Sequence, residues 1–89
     1  MKIEYDPEKR AETLRKRGLD MERADEIFAA EVLTVEDLRV DYGESRFFTI
    51  GYLDDRMVAL IWTPRGSARR IISLRKANER EQTQHDPPA

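Results

Sequence analysis

Seven consecutive residues, Met57 to Thr63 (MVALIWT), carry no charge and are apolar at nearly every position. A strand with one solvated face alternates apolar and polar residues. A run that is apolar on both faces needs cover above and below, which predicts a central strand. Turn signals bound the run: Asp54-Asp55 before it, and Pro64-Arg65-Gly66-Ser67 after it, with Gly66 at the tight position. Further strand-like stretches flank these turns. Residues 46–53 put Phe48, Ile50 and Tyr52 on one face, and residues 68–74 put Ile71 and Ile72 on opposite faces. Residues 32–38 alternate with polar side chains, and Glu36, Asp37 and Arg39 would keep that strand from pairing with another chain at a sheet edge. Tyr52 and Trp62 read as core side chains. Together these segments predict a four-stranded antiparallel meander.

Helical signals precede the meander. Residues 1–5 alternate as a short opening strand with Ile3 and Tyr5 on one side. Asp6-Pro7 is a helix start, an N-cap followed by a residue that needs no amide partner there. Ala11 and Leu14 supply the apolar face of this helix, and Gly18 suits the left-handed position that ends it. Asp20 caps a second helix, with Leu19 packing on Ala24 as a staple and Ala24, Ile27 and Phe28 as its buried stripe. A polar helix over about 75–84 closes the order and has little to bury. This is an α+β layout with helices on an antiparallel sheet. It predicts one domain over 1–84 and a disordered tail at 85–89.

The net charge of −2 hides two opposed parts. Residues 56–80 hold seven basic residues and one acid, a net +6, whereas residues 1–55 hold nine basic and fifteen acidic residues, a net −6. Such segregation points to a polyanion for one surface and a different partner for the other. With no cysteine and one histidine, His85, neither a disulfide framework nor a zinc site can be built, and no other metal or cofactor is expected. Neither a membrane span nor a signal-peptide pattern is present, so a cytoplasmic protein is expected.

Three pieces of the chain resemble the BrnT family. Tyr5-Asp6-Pro7 with Lys9 and the run Lys16-Arg17-Gly18-Leu19-Asp20 resemble the family's opening. Tyr42-Gly43-Glu44-Ser45-Arg46-Phe47 with Thr49-Ile50-Gly51 resembles its central strand entry. Thr63-Pro64-Arg65-Gly66, followed by Arg70-Ile71-Ile72-Ser73-Leu74-Arg75-Lys76-Ala77, is the closest match. The resemblance spans roughly residues 3–81. It implies a RelE-like fold and a ribonuclease toxin of a type II toxin–antitoxin system, which stops translation by cutting RNA. It also implies a BrnA-type DNA-binding antitoxin as partner and an RNA substrate, free or on the ribosome. The chain departs from the family at Arg17, usually His, at Thr13, usually Asn, and in its terminal helix, which lacks the usual Arg-rich run ending in Tyr.

RNA cleavage needs proton removal from a 2′-hydroxyl, charge stabilisation at phosphorus and protonation of the leaving oxygen. Arginine serves the second role, because its planar fork grips phosphate oxygens in pairs. Arg46, Arg70, Arg75, Lys76 and His85 are therefore the candidate catalytic residues, with Arg65, Arg69 and Arg80 as RNA-binding residues. Arg46 and Arg70, near the starts of two strands, could converge on one sheet face. Glu44 is a candidate base if it faces the arginines, and Tyr42 is a candidate acid. The absence of a metal-ligand cluster fits a metal-independent endoribonuclease. Two alternatives stand beside it: a catalytically impaired homologue that serves as antitoxin-binding partner or co-repressor, and a plain nucleic-acid-binding domain.

Overall fold

The computed structural model describes residues 2–39, 41 and 43–85; Tyr42 and, of the tail expected at 85–89, residues 86–89 lie outside the described residues. The elements run β1 (Lys2–Tyr5), α1 (Pro7–Arg17), a 3-10 turn (Met21–Arg23), α2 (Ala24–Ala29), β2 (Leu33–Glu36), β3 (Phe47–Leu53), β4 (Arg56–Arg65), β5 (Ala68–Lys76) and α3 (Glu79–His85). The architecture is α+β. Strands β2 to β5 form the antiparallel meander, but the sheet has five strands, in the order β1-β5-β4-β3-β2. The opening strand joins it, parallel to β5, with Lys2 opposite Ala68 and Tyr5 opposite Ile71. The sheet is therefore mixed, a correction to the purely antiparallel expectation. Alternation within residues 1–5 marks a strand and says nothing about its partner.

The helix ends follow local chemistry. The Asp6 carboxylate accepts from the Glu8 N–H at 2.9 Å, Pro7 occupies the first helical position, and Gly18 ends α1 at φ 67°. The Asp20 carboxylate accepts from the Glu22 N–H at 3.0 Å and opens the 3-10 turn that leads into α2. Leu19, Met21, Ala24 and Ile27 then drop into the core with Leu53, Val58, Leu60, Trp62, Ile71 and Leu74. The side chain of α1 that turns inward is Thr13; Ala11 and Leu14 are exposed, contrary to expectation. The helix lies on β5 through its polar side, where Lys9 and Arg17 donate to the carbonyls of Ile72 and Leu74.

β4 is central and buried on both faces, as its composition demands. Leu60 and Val58 are fully buried under the helices, while Met57 and Ala59 are buried on the other side. A smaller cluster of Ile50, Met57 and Ala77 with Phe48 lies on that second face, in front of α3. Four details differ from expectation. β4 runs through Pro64, which pairs with Arg69, so the turn is only Gly66-Ser67. At the Ile61–Trp62 step the register shifts, leaving Ile72 as an extra residue in β5. This bulge resets the alternation, so Ile71 and Leu74, three apart, both reach the helix-covered core. Tyr52 is 38% exposed rather than core, because it sits on the second face beyond the reach of α3's small apolar contact. Finally, β5 extends to Lys76 and α3 begins only at Glu79, so Arg75 and Lys76 are strand residues.

Candidate active site and nucleic-acid interface

Strand register assembles the site. On β4, Trp62 faces the helices, so its neighbour Thr63 faces the opposite, open side. Thr63 pairs with Arg70 on β5, and Arg70 pairs with Glu4 on β1. Phe47 pairs with Trp62, which places Arg46, one residue earlier, beside Thr63. The Thr63 hydroxyl donates to the Ser45 carbonyl at 2.6 Å and ties the Glu44–Arg46 segment down across the strand. The outcome is one row across four strands: Arg46, Thr63, Arg70 and Glu4. Arg46 and Arg70 are two strand positions apart, about 10 Å between backbones at ~4.8 Å per strand.

Carboxylates hold these arginines in place. Glu44 lies between two of them, 3.3 Å from Arg46 Nε and 3.6 Å from Arg65 Nη2. Glu4 is 3.5 Å from Arg70 Nη1. Glu44 therefore faces the arginine cluster, the condition under which it is a candidate base. A carboxylate between two guanidinium groups occupies the position a phosphate would take, and exposed pairs of this kind are weak enough to exchange.

Arg75 is placed differently. It faces the open side, stacks over the Phe48 ring at 6.0 Å and donates two 2.8 Å bonds to Glu81 of α3. Glu81 also accepts from the Asn78 N–H, while Asn78 caps the Glu81 N–H, a reciprocal cap that starts α3. The bidentate contact raises the Arg75 pKa and lowers that of Glu81. Arg75 thus clamps α3 to the sheet.

Lys76 pairs with Val58 and so shares the helix-covered side, opposite to Arg75. Arg69 also turns toward the helices, its guanidinium carbon 4.0 Å from the centre of the Phe28 ring and 5.2 Å from that of Trp62. Arg80 is exposed on α3. His85 closes α3, and its side chain lies outside the described residues. The fold thus brings Arg46, Arg65 and Arg70 together and separates them from Lys76 and Arg69. Trp62 is buried and donates to the Thr49 hydroxyl at 2.8 Å, which fixes it as core.

Sequence reasoning passed over two features. Asn78-x-x-Glu81 is a capping pattern legible in the chain. Arg17 and Arg56, far apart in sequence, line one cleft with Lys76, and no local signal announces that meeting.

Among the described residues, no group of three or more His, Cys, Asp or Glu side chains could hold a metal ion, and no helix is long and apolar enough to cross a membrane. No curated protein matches the chain. A comparison with known families matches residues 5–81 to the family described as the ribonuclease toxin BrnT of type II toxin–antitoxin systems. The match covers both the Glu44–Arg46 segment and the β4–β5 hairpin that carries Arg65 and Arg70. The chain accordingly belongs to the BrnT family of type II toxin–antitoxin ribonuclease toxins, whose members act on RNA and answer to an antitoxin.

Proposed function

We propose that this toxin is a metal-independent endoribonuclease of RelE-like architecture that cuts RNA on the open face of its sheet and thereby stops translation. The observation that carries this reading is the Arg46–Thr63–Arg70 row with Glu44 held between Arg46 and Arg65. The scissile phosphate displaces Glu44 from its pairs and is gripped by Arg46, Arg65 and Arg70, which stabilise the charge that builds on phosphorus. The freed Glu44 takes the proton of the adjacent 2′-hydroxyl. The 2′-oxygen then bonds to phosphorus, the bond to the 5′-oxygen breaks, and that oxygen leaves with a proton from solvent. The products are a 2′,3′-cyclic phosphate and a 5′-hydroxyl end.

The test is cleavage of a defined RNA in the presence of a strong chelator. Wild type should yield cyclic-phosphate ends. Glu44→Gln should lower kcat about 10²–10⁴-fold, and Arg70→Ala about 10²–10³-fold. Full activity in both variants, or a strict requirement for a divalent ion, would remove this mechanism. A second reading is favoured by one observation: Arg46, Arg65, Arg70 and Arg75 are each already paired with a carboxylate. In that reading the protein is a non-catalytic co-repressor. It predicts no cleavage by wild type together with tight antitoxin binding.

The partner we propose is a BrnA-type antitoxin that docks at the β2 edge. Val35, Leu38, Phe48 and Ile61 line a groove there, rimmed by Glu36 and by the Asp37–Arg39 and Glu81–Arg75 pairs. This apolar floor suits the apolar face of an amphipathic segment.

A further inference from the structure

Apart from the open-face arginines, the fold gathers a further cationic group. Where the end of α1 meets the start of β4 and the end of β5, Arg17, Arg56 and Lys76 line a cleft of about 430 Å³ together with Leu19, Val58 and the Glu81-paired Arg75. Leu19 and Val58 are buried and give it an apolar floor. Among the described residues, none of Arg17, Arg56 and Lys76 forms an ion pair. Arg17 donates instead to the Leu74 carbonyl at 2.7 Å, and Arg56 to the Gly18 carbonyl at 3.4 Å. The carboxylates that feel Arg17 and Arg56 through space are Glu12 and Asp54. Both are already bonded, Glu12 to Lys16 and Asp54 to Arg23.

The contrast with the open face is chemical. There every arginine has a carboxylate partner, with Glu44 shared by two; here three positive charges share an apolar floor, and the bonds of Arg17 and Arg56 go to carbonyls. A carbonyl bond orients a guanidinium and leaves its remaining N–H donors available. Basic residues in the last turn of a helix complement its dipole, which accounts for Arg17 alone. Arg56 and Lys76 sit on strands and have no such role. The cleft also shares Arg17 with a groove along α1 that holds Lys9 and Ser73 beside the Lys16–Glu12 pair.

We propose that this cleft is a second phosphate-binding site, which holds the RNA backbone away from the scissile position. Arg17 and Arg56 grip phosphate oxygens through their forks, and Lys76 adds a point charge. The proposal rests on RNA being the substrate of the open face. It gives Lys76 a role in binding, in place of the catalytic role expected from the sequence.

The test uses a short, fully 2′-O-methylated RNA, which has no free 2′-hydroxyl and cannot be cut. Its Kd is measured by fluorescence anisotropy across a salt series for wild type, Lys76→Glu, Arg56→Gln and the double variant. Lys76 is exposed, so its substitution leaves the thermal midpoint near wild type and serves as the folded control. The double variant should bind about tenfold or more weakly at low salt, and its log Kd against log salt slope should fall by about 1.4, or ~0.7 per lost contact. An unchanged Kd and slope would overturn the second site. So would intact RNA binding with weakened antitoxin binding, which would make the cleft a protein interface. The two proposals are separable. If Glu44→Gln and Arg70→Ala abolish cleavage while the cleft variants bind normally, only the second site falls. If wild type neither binds nor cuts RNA, both fall.

Discussion

Arg69 carries a charge into the apolar side of the sheet. Its guanidinium lies over Phe28 and Trp62, and its Nε is buried without a hydrogen-bond partner. Two ring faces replace the lost water, an arrangement worth about 2 kcal/mol when desolvated. Arg69→Ala should therefore lower unfolding free energy by about that amount, read from the urea midpoint of Trp62 fluorescence. Arg69→Met should recover part of the loss through packing alone. Asp20 makes a second prediction. Arg10 donates bonds of 2.7 and 3.0 Å to its carboxylate, which lowers the Asp20 pKa. A carboxyl whose folded pKa lies below its unfolded value adds stability above the unfolded pKa and loses it as pH falls through the folded one. Glu12, Glu26, Asp54 and Glu81 shift in the same direction. The thermal midpoint should thus decline on acidification below about pH 4, and Asp20→Asn should make that decline shallower. The capping roles of Asp6, Gly18 and Asp20 were legible in sequence because each acts within a few residues. The inward turn of Arg69 was not, because it depends on how β5 lies against α2.

The elements are held by close approach as much as by area. A Cβ on Gly51 of β3 would come within 2.7 Å of Ile27 Cγ2 and 2.9 Å of Val32 Cγ1, so α2 and the segment after it rest directly on the bare backbone. Both obstacles are branched side chains near the core with little room to yield. Gly51→Ala should cost about 1–3 kcal/mol, measured as a lower thermal midpoint with the same fold by circular dichroism. On the other face, Glu81 serves α3 twice, as the cap partner of Asn78 and the anchor of Arg75. Glu81→Ala should release the helix while leaving the sheet intact. Hydrogen exchange of the α3 amides should then accelerate, while those of β4 stay protected. The four meander strands were readable from alternation and turn residues, but the place of β1 beside β5 was not. The bulge at Ile72 and the end of β5 were not, since both are decided by pairing with β4. Misplacing that end put Arg75 and Lys76 on a helix and hid that they face opposite sides. The convergence of Arg46 with Arg70 was legible, because a meander fixes which residues share a row.

For the molecule as a whole, folding brings the two charge segments together. The open-face row joins Arg65 and Arg70 to Arg46, Glu44 and Glu4 of the acidic segment, and the cleft at the end of α1 joins Arg56 and Lys76 to Arg17. The first strand also shields the sheet, because β1 covers the edge of β5 that would otherwise offer unpaired backbone groups. Removing residues 2–5 should lower stability and produce concentration-dependent association, seen by size-exclusion chromatography at increasing loads. The pairing of β1 with β5 has a consequence in time. Glu4 is made early and Arg70 late, yet the two stand side by side in the sheet. A chain still being synthesised cannot assemble the Arg46–Thr63–Arg70 row until β5 has left the exit tunnel. The row of side chains across the sheet is thus absent from any nascent chain whose β5 is still inside the ribosome.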